Sequence, residues 1–98
     1  MNLDDLKLFQ RVAELGTLSA VARERDVAVS QISRAVSQLE TEHGVRLLRR
    51  TTHGLSLTAE GEVFLGYCRS ITQTLDELDG EFSSRTRDVR GVVRIGVS

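Results

Sequence analysis

Apolar residues recur at helical spacing along most of this chain, and a few small residues divide the pattern into segments. Leu3, Leu6, Phe9, Val12 and Ala13 make one face of a first helix. Asn2 supplies an acceptor for its orphan amides, Asp4 and Asp5 sit at its positive end, and Gly16 stops it. Thr17 or Ser19 caps a second, shorter helix to about Arg25, with Leu18, Val21 and Ala22 turned inward, and Asp26-Val27-Ala28 forms a turn. From Val29 to Leu39, Ile32, Ala35, Val36 and Leu39 share one narrow stripe, and His43-Gly44 ends this third helix. The period then changes. Val45, Leu47 and Leu48 lead into Arg49-Arg50-Thr51, and Leu55-Ser56-Leu57-Thr58 alternates as a half-buried strand does, so two short strands meet in a hairpin with Thr52, His53 and Gly54 at its tip.

The third helix is the unusual one. Opposite its apolar stripe lie Ser30, Arg34, Ser37 and Thr41, flanked by Gln31, Ser33 and Gln38. A merely solvated face more often carries Lys and Glu four residues apart, and Ser is a mediocre helix former. Short hydroxyls, amides and one guanidinium suit approach to base edges and phosphate oxygens in a DNA major groove; the alternative is a plain polar face that is rich in serine. Two short helices joined by a tight turn, the second with this face, make a helix-turn-helix, and the hairpin attached after it is a wing. Arg49 and Arg50 fit either solvated strand charges or phosphate and minor-groove contacts beside Thr51, Thr52 and His53.

Thr58 caps a fourth, long helix with Glu60 and Glu62 in its first turn. Phe64, Cys68, Ile71, Leu75, Leu78 and Phe82 follow at alternating spacings of 4 and 3, the seam of a two-stranded coiled coil. On a helix of about 24 residues, roughly 36 Å long, this seam outruns what so small a domain covers internally, so it calls for a second chain. Gly66 and Gly80 each cost the helix about 1 kcal/mol, which packing against that chain offsets. Val63 and Tyr67 lie beside the seam and are expected against the first helix, with Cys68 a packed side chain. After Ser83 the chain turns polar and basic and reads as a linker; Val92 to Val97 reads as a strand with nothing to pair with, the first of an absent second domain. The expected division is residues 1–58 for the winged helix-turn-helix, 59–84 for the dimerisation helix and 85–98 for a hinge and that strand.

Composition narrows the classes. The 98 residues hold no Pro and one cysteine, Cys68, which excludes an internal disulfide and any site built from several thiolates. No apolar run spans a bilayer and no export signal opens the chain, so the expected location is cytoplasmic. A net charge of −1 hides a segregation: the balance is +2 over residues 28–54 and −5 over residues 59–82. No phosphate-cradling loop, metal-ligand spacing or nucleophile beside a base is present, so no enzyme, cofactor or metal is expected.

These pieces together resemble the N-terminal DNA-binding region of LysR-type transcriptional regulators, and the resemblance covers residues 2 to 98. It rests on Leu6 and Phe9, on Gly16-Thr17-Leu18-Ser19, on Ile32-Ser33-Arg34 with Val36 and Leu39-Glu40, and on Gly44-Val45 with Leu47-Leu48. Arg50-Thr51-Thr52, Leu57-Thr58, Gly61, and Gly91 to Gly96 complete it. The resemblance implies a mainly α winged helix-turn-helix, a three-helix core with a small β-hairpin, that dimerises through its linker helix. It implies a bacterial regulator bound to double-stranded DNA, with Ser33 and Arg34 on the recognition helix and Arg50 in the wing as DNA contacts. A small-molecule inducer would bind the absent C-terminal part, and assembly beyond a dimer, such as a tetramer, stays open. Several positions depart from the family. Ala28 replaces the usual capping Ser or Thr, so Ser30 is expected to cap. Arg25 replaces Leu, and His53 replaces Arg, so minor-groove insertion is not carried over. Leu18 and Leu48 replace frequent Phe residues, which changes packing only. A different class, a protein-interaction scaffold, is separated from this reading by the absence of salt-dependent binding to mixed DNA.

Overall fold

The computed structural model describes the backbone of residues 1–92 and the side chains of residues 1–83. Its elements, in chain order, are α1 (Leu3–Leu15), α2 (Leu18–Arg25), α3 (Val29–His43), β1 (Leu48–Thr51), β2 (Gly54–Leu57) and α4 (Ala59–Val92). This is a mainly helical winged helix-turn-helix followed by one long helix.

The boundaries follow from local chemistry. At the start of α1 the Asn2 side chain accepts from the Asp5 amide at 2.9 Å while the Asp5 carboxylate accepts from the Asn2 amide at 3.1 Å, a reciprocal capping box. Gly16 ends α1 in the left-handed region, and Thr17, not Ser19, caps α2 by accepting from the Ala20 amide at 3.1 Å. The expected cap at Ser30 does not form: the N-cap lies two residues earlier, at Ala28, with no side-chain hydrogen bond there, and α3 starts at Val29. Asp26 closes α2 at φ 59°, and this sharp corner sets the direction in which α3 leaves.

The core gathers Leu6, Leu8, Phe9 and Val12 of α1, Val21 and Ala22 of α2, Ile32, Val36 and Leu39 of α3, Leu47 and Leu48 at the wing, and Leu65 and Cys68 of α4. Phe9 is fully buried and meets Phe64 edge to face, with ring centroids 5.1 Å apart. Two seam assignments therefore change. Cys68 is buried in its own domain and Phe64 packs on α1, because the first turns of α4 lie against that helix, and a spacing of 4 and 3 is the same whether the apolar face meets its own chain or another. Burial pushes the Cys68 thiol up to about 11, so it is a packed, protonated side chain at neutral pH. Val63 and Tyr67, expected against α1, point to solvent instead, at 62% and 68% exposure; Leu65 takes the inward position.

Beyond Ser83 the expected linker is helix, continuous to Val92. Polar composition alone does not break a helix, and no Pro interrupts this stretch. The strand expected over 92–97 lies, apart from Val92, outside the described residues.

Candidate nucleic-acid interface

α3 is held by its apolar stripe and offers the rest. Ile32, Val36 and Leu39 are buried, whereas Ser30, Gln31, Arg34, Ser37, Gln38 and Thr41 are exposed and Ser33 is half-buried on the flank nearest the hairpin. The serines are outward, as the sequence pattern requires.

The hairpin stands beside this face. β1 and β2 pair antiparallel with Leu48 opposite Leu57, Arg49 opposite Ser56, Arg50 opposite Leu55 and Thr51 opposite Gly54. Its two-residue tip, Thr52-His53, is tied by Thr51, whose hydroxyl donates to the Gly54 carbonyl at 3.1 Å and accepts from the His53 amide at 3.2 Å. Alternation along β1 separates the two arginines. Arg50 shares the face of Leu55 and lines a groove with Ser33, Ser37 and Arg46, while Arg49 lies on the outer face with Ser56. A second cleft of about 280 Å³ continues from Arg50 and Thr51 to Thr17 and Ser19 at the start of α2 and to Val29. Of the sequence candidates, Ser33 and Ser37 line one cleft and Thr51 the other, and Arg50 lines both. Ser30, Gln31, Arg34 and Gln38 occupy the exposed helix surface beside them. Thr52 and His53 are exposed at the tip, and Arg49 faces away.

Charge is distributed to match. Arg11 is paired with Glu24 at 2.8 Å and Glu14 at 3.0 Å, and Arg25 reaches Asp4 at 3.2 Å, so the guanidinium standing at a family Leu position ties the end of α2 to the start of α1. The hydrogen bonds from Arg11 hold the Glu24 carboxyl below its usual range, and both carboxylates push the Arg11 guanidinium further up. Among the described residues, no carboxylate lies within ion-pair distance of Arg34, Arg49 or Arg50. Arg11 and Arg25, which brace the scaffold, are paired with carboxylates, as is Arg46 of the groove with Glu40, whereas Arg34 and Arg50 of the candidate face are not.

Glu40, whose contacts no periodicity marks, and Thr58, expected as the cap of α4, together shape this site. Glu40, only 16% exposed, accepts from the Leu47 amide at 2.8 Å and the Leu48 amide at 3.2 Å and lies 3.5 Å from the Arg46 guanidinium. It pins the start of β1 to α3. Thr58 holds the same segment from the other side: its amide donates to the Leu47 carbonyl at 3.1 Å, its hydroxyl donates to the Arg46 carbonyl, and the hydroxyl accepts from the Gly61 amide at 2.9 Å. Replacing Glu40 with Ala strands two part-buried amides, and urea denaturation should show a loss of about 2 kcal/mol. Glu40→Gln keeps one acceptor oxygen and should lose about half as much. Denaturation of the Ala variant at the parent's midpoint would remove Glu40 from this role.

Residues 3–62 match the profile of the family described as "Bacterial regulatory helix-turn-helix protein, lysR family". The chain belongs to the LysR family. The HTH-type transcriptional regulator CzcR of Bacillus cereus is 38% identical over 96 residues, 98% of this chain and 33% of that protein. Two solved structures of LysR-like domains on DNA share the fold. The CbnR_DBD–DNA complex is 39% identical with a TM-score of 0.72, covering 90% of this chain and 97% of that one. The BenM_DBD/catB site 1 DNA complex is 27% identical with a TM-score of 0.81, covering 88% and 97%. This LysR-family chain spans about a third of the length of the curated regulators it matches. Among its described residues no helix is long and apolar enough to cross a membrane.

Proposed function

We propose that this LysR-family chain binds double-stranded DNA sequence-specifically as a homodimer and forms the DNA-binding part of a cytoplasmic bacterial transcriptional regulator. The observation that carries the reading is the outward face of α3, with its serines, glutamines and one guanidinium, standing beside the inward-facing Arg50 of the wing. α3 enters the major groove, where Ser30, Ser33, Arg34 and Ser37 meet base edges and phosphates. Arg50 and Thr51 take the flanking backbone, with Thr52 and His53 at the wing tip beside it. Both the CbnR and BenM domains are named as DNA complexes, which supports the same partner here.

Pairing uses the outer turns of α4. Ile71 and Leu78, 46% and 49% exposed, join Leu75 and Leu3 of α1 in an apolar strip that a second copy covers. Residues 1–58 read DNA, the helix from residue 59 pairs, and an inducer, where the regulator uses one, binds outside this chain.

Selection of bound fragments from a random duplex library tests the reading, and an inverted pair of half-sites is the expected product. Arg34→Ala should cost about 1–3 kcal/mol on the selected site and relax one base position, or weaken all sequences alike with a lower salt slope if Arg34 holds a phosphate. Binding of every duplex by the variant as by the parent would take the reading face away from α3.

A further inference from the structure

We infer that Val29 is a specificity-determining residue of the DNA surface, whose isopropyl group meets the C5-methyl group of one thymine in each half-site. The inference rests on the DNA-binding reading above and names part of what that surface recognises.

Val29 is the first residue of α3 and is 44% exposed. It is absent from the buried core, so packing does not account for it. Capping does not account for it either, since neither it nor Ala28 offers a side-chain acceptor to the first turn. The exposed positions that follow on α3, Ser30, Gln31 and Arg34, are hydrophilic, which leaves one β-branched aliphatic group at the end of the helix that enters a major groove first. Val29 lies one turn before Ser33 on the hairpin-facing flank, and it lines the cleft bounded by Thr17, Arg50 and Thr51. The same cleft holds Leu18 and Leu55, with the hydroxyls of Thr17, Ser19 and Thr51 and the Arg50 guanidinium, groups suited to phosphate oxygens, around them.

The major groove displays hydrogen-bond donors and acceptors at every base pair and one apolar mark, the thymine methyl. Hydroxyls and amides gain nothing from a methyl group. An aliphatic side chain gains the burial of both surfaces, so Val29 complements the feature that its polar neighbours leave unread.

The test replaces thymine with uracil, one position at a time, in the fragment selected by the 98-residue chain. Uracil removes only the methyl group and keeps every Watson–Crick and groove hydrogen bond. At one thymine per half-site the substitution should weaken binding by about fourfold, the worth of one buried methylene-sized group. With Val29→Ala, which removes two of the three side-chain carbons, the same substitution should have a clearly smaller effect, while its effects elsewhere persist. The variant stays folded because the position is exposed and Ala is the better helix former. A chain that selects a specific site yet shows no uracil effect dependent on Val29 overturns the inference and leaves the DNA-binding reading standing. A chain that selects no site overturns both.

Discussion

A chain carrying Ile71→Asp and Leu78→Asp is expected to sediment as a monomer at concentrations where the parent is a dimer, and to lose about a hundredfold or more in affinity for a paired, inverted site. Both side chains are about half exposed in the single chain, so the substitutions cost the fold itself little. In a symmetric pair each copy presents the same strip, so two substitutions per chain bring four carboxylates into one apolar seam. Neighbouring Asp76, Glu77 and Asp79 add to the repulsion. Binding to an isolated half-site, where no second copy is needed, should be unchanged. That contrast separates loss of pairing from loss of the reading surface. Unchanged sedimentation of the double variant would move the dimer contact away from α4.

Gly61→Ala is expected to destabilise the chain by about 3 kcal/mol and lower its Tm by roughly 15 °C, read by thermal denaturation. A Cβ at Gly61 would overlap the Leu47 carbonyl oxygen, which is backbone and has no rotamer to give. Relief would require moving residues 46–48, the segment that Glu40 grips from α3 and Thr58 grips from α4. The same substitution a turn and a half further on has the opposite sign. Nothing lies within 4 Å of a Cβ at Gly66, so Gly66→Ala should stabilise by up to about 1 kcal/mol through helix propensity alone. A small effect at Gly61 would mean that α4 does not sit against the wing as described.

Local chemistry made the helix-turn-helix legible in the sequence. Asn2, Gly16, Thr17 and Gly44 act within one turn of their own positions, and the stripe of Ile32, Val36 and Leu39 follows from helical geometry. The alternation in Leu55 to Leu57 with Gly54 before it places the hairpin. What escaped was set by distance. Glu40 reaches amides seven and eight residues away, across the end of its helix, and no periodicity marks such a contact. Phe64 and Cys68 continue the spacing of Ile71 and Leu78 without a break, although the first pair faces its own core and the second faces outward. The separation of Arg50 from Arg49 needed the register of the pair, since two adjacent arginines look equivalent in a chain of letters. The position of Thr17 and Ser19 beside Arg50 was likewise invisible, because a cap and a first-turn residue show only their local role in the sequence.

α4 is keyed into the domain at Leu65 and Cys68 and then runs unbroken to Val92. From Cys68 to that end is a stiff arm of about 36 Å. Turning such an arm by about 10° about the end keyed into the domain carries its far end sideways by about 6 Å. A small change in the angle at which α4 leaves the domain is therefore amplified along the rod, and the arrangement of whatever packs on its outer turns becomes sensitive to leverage as well as to contact.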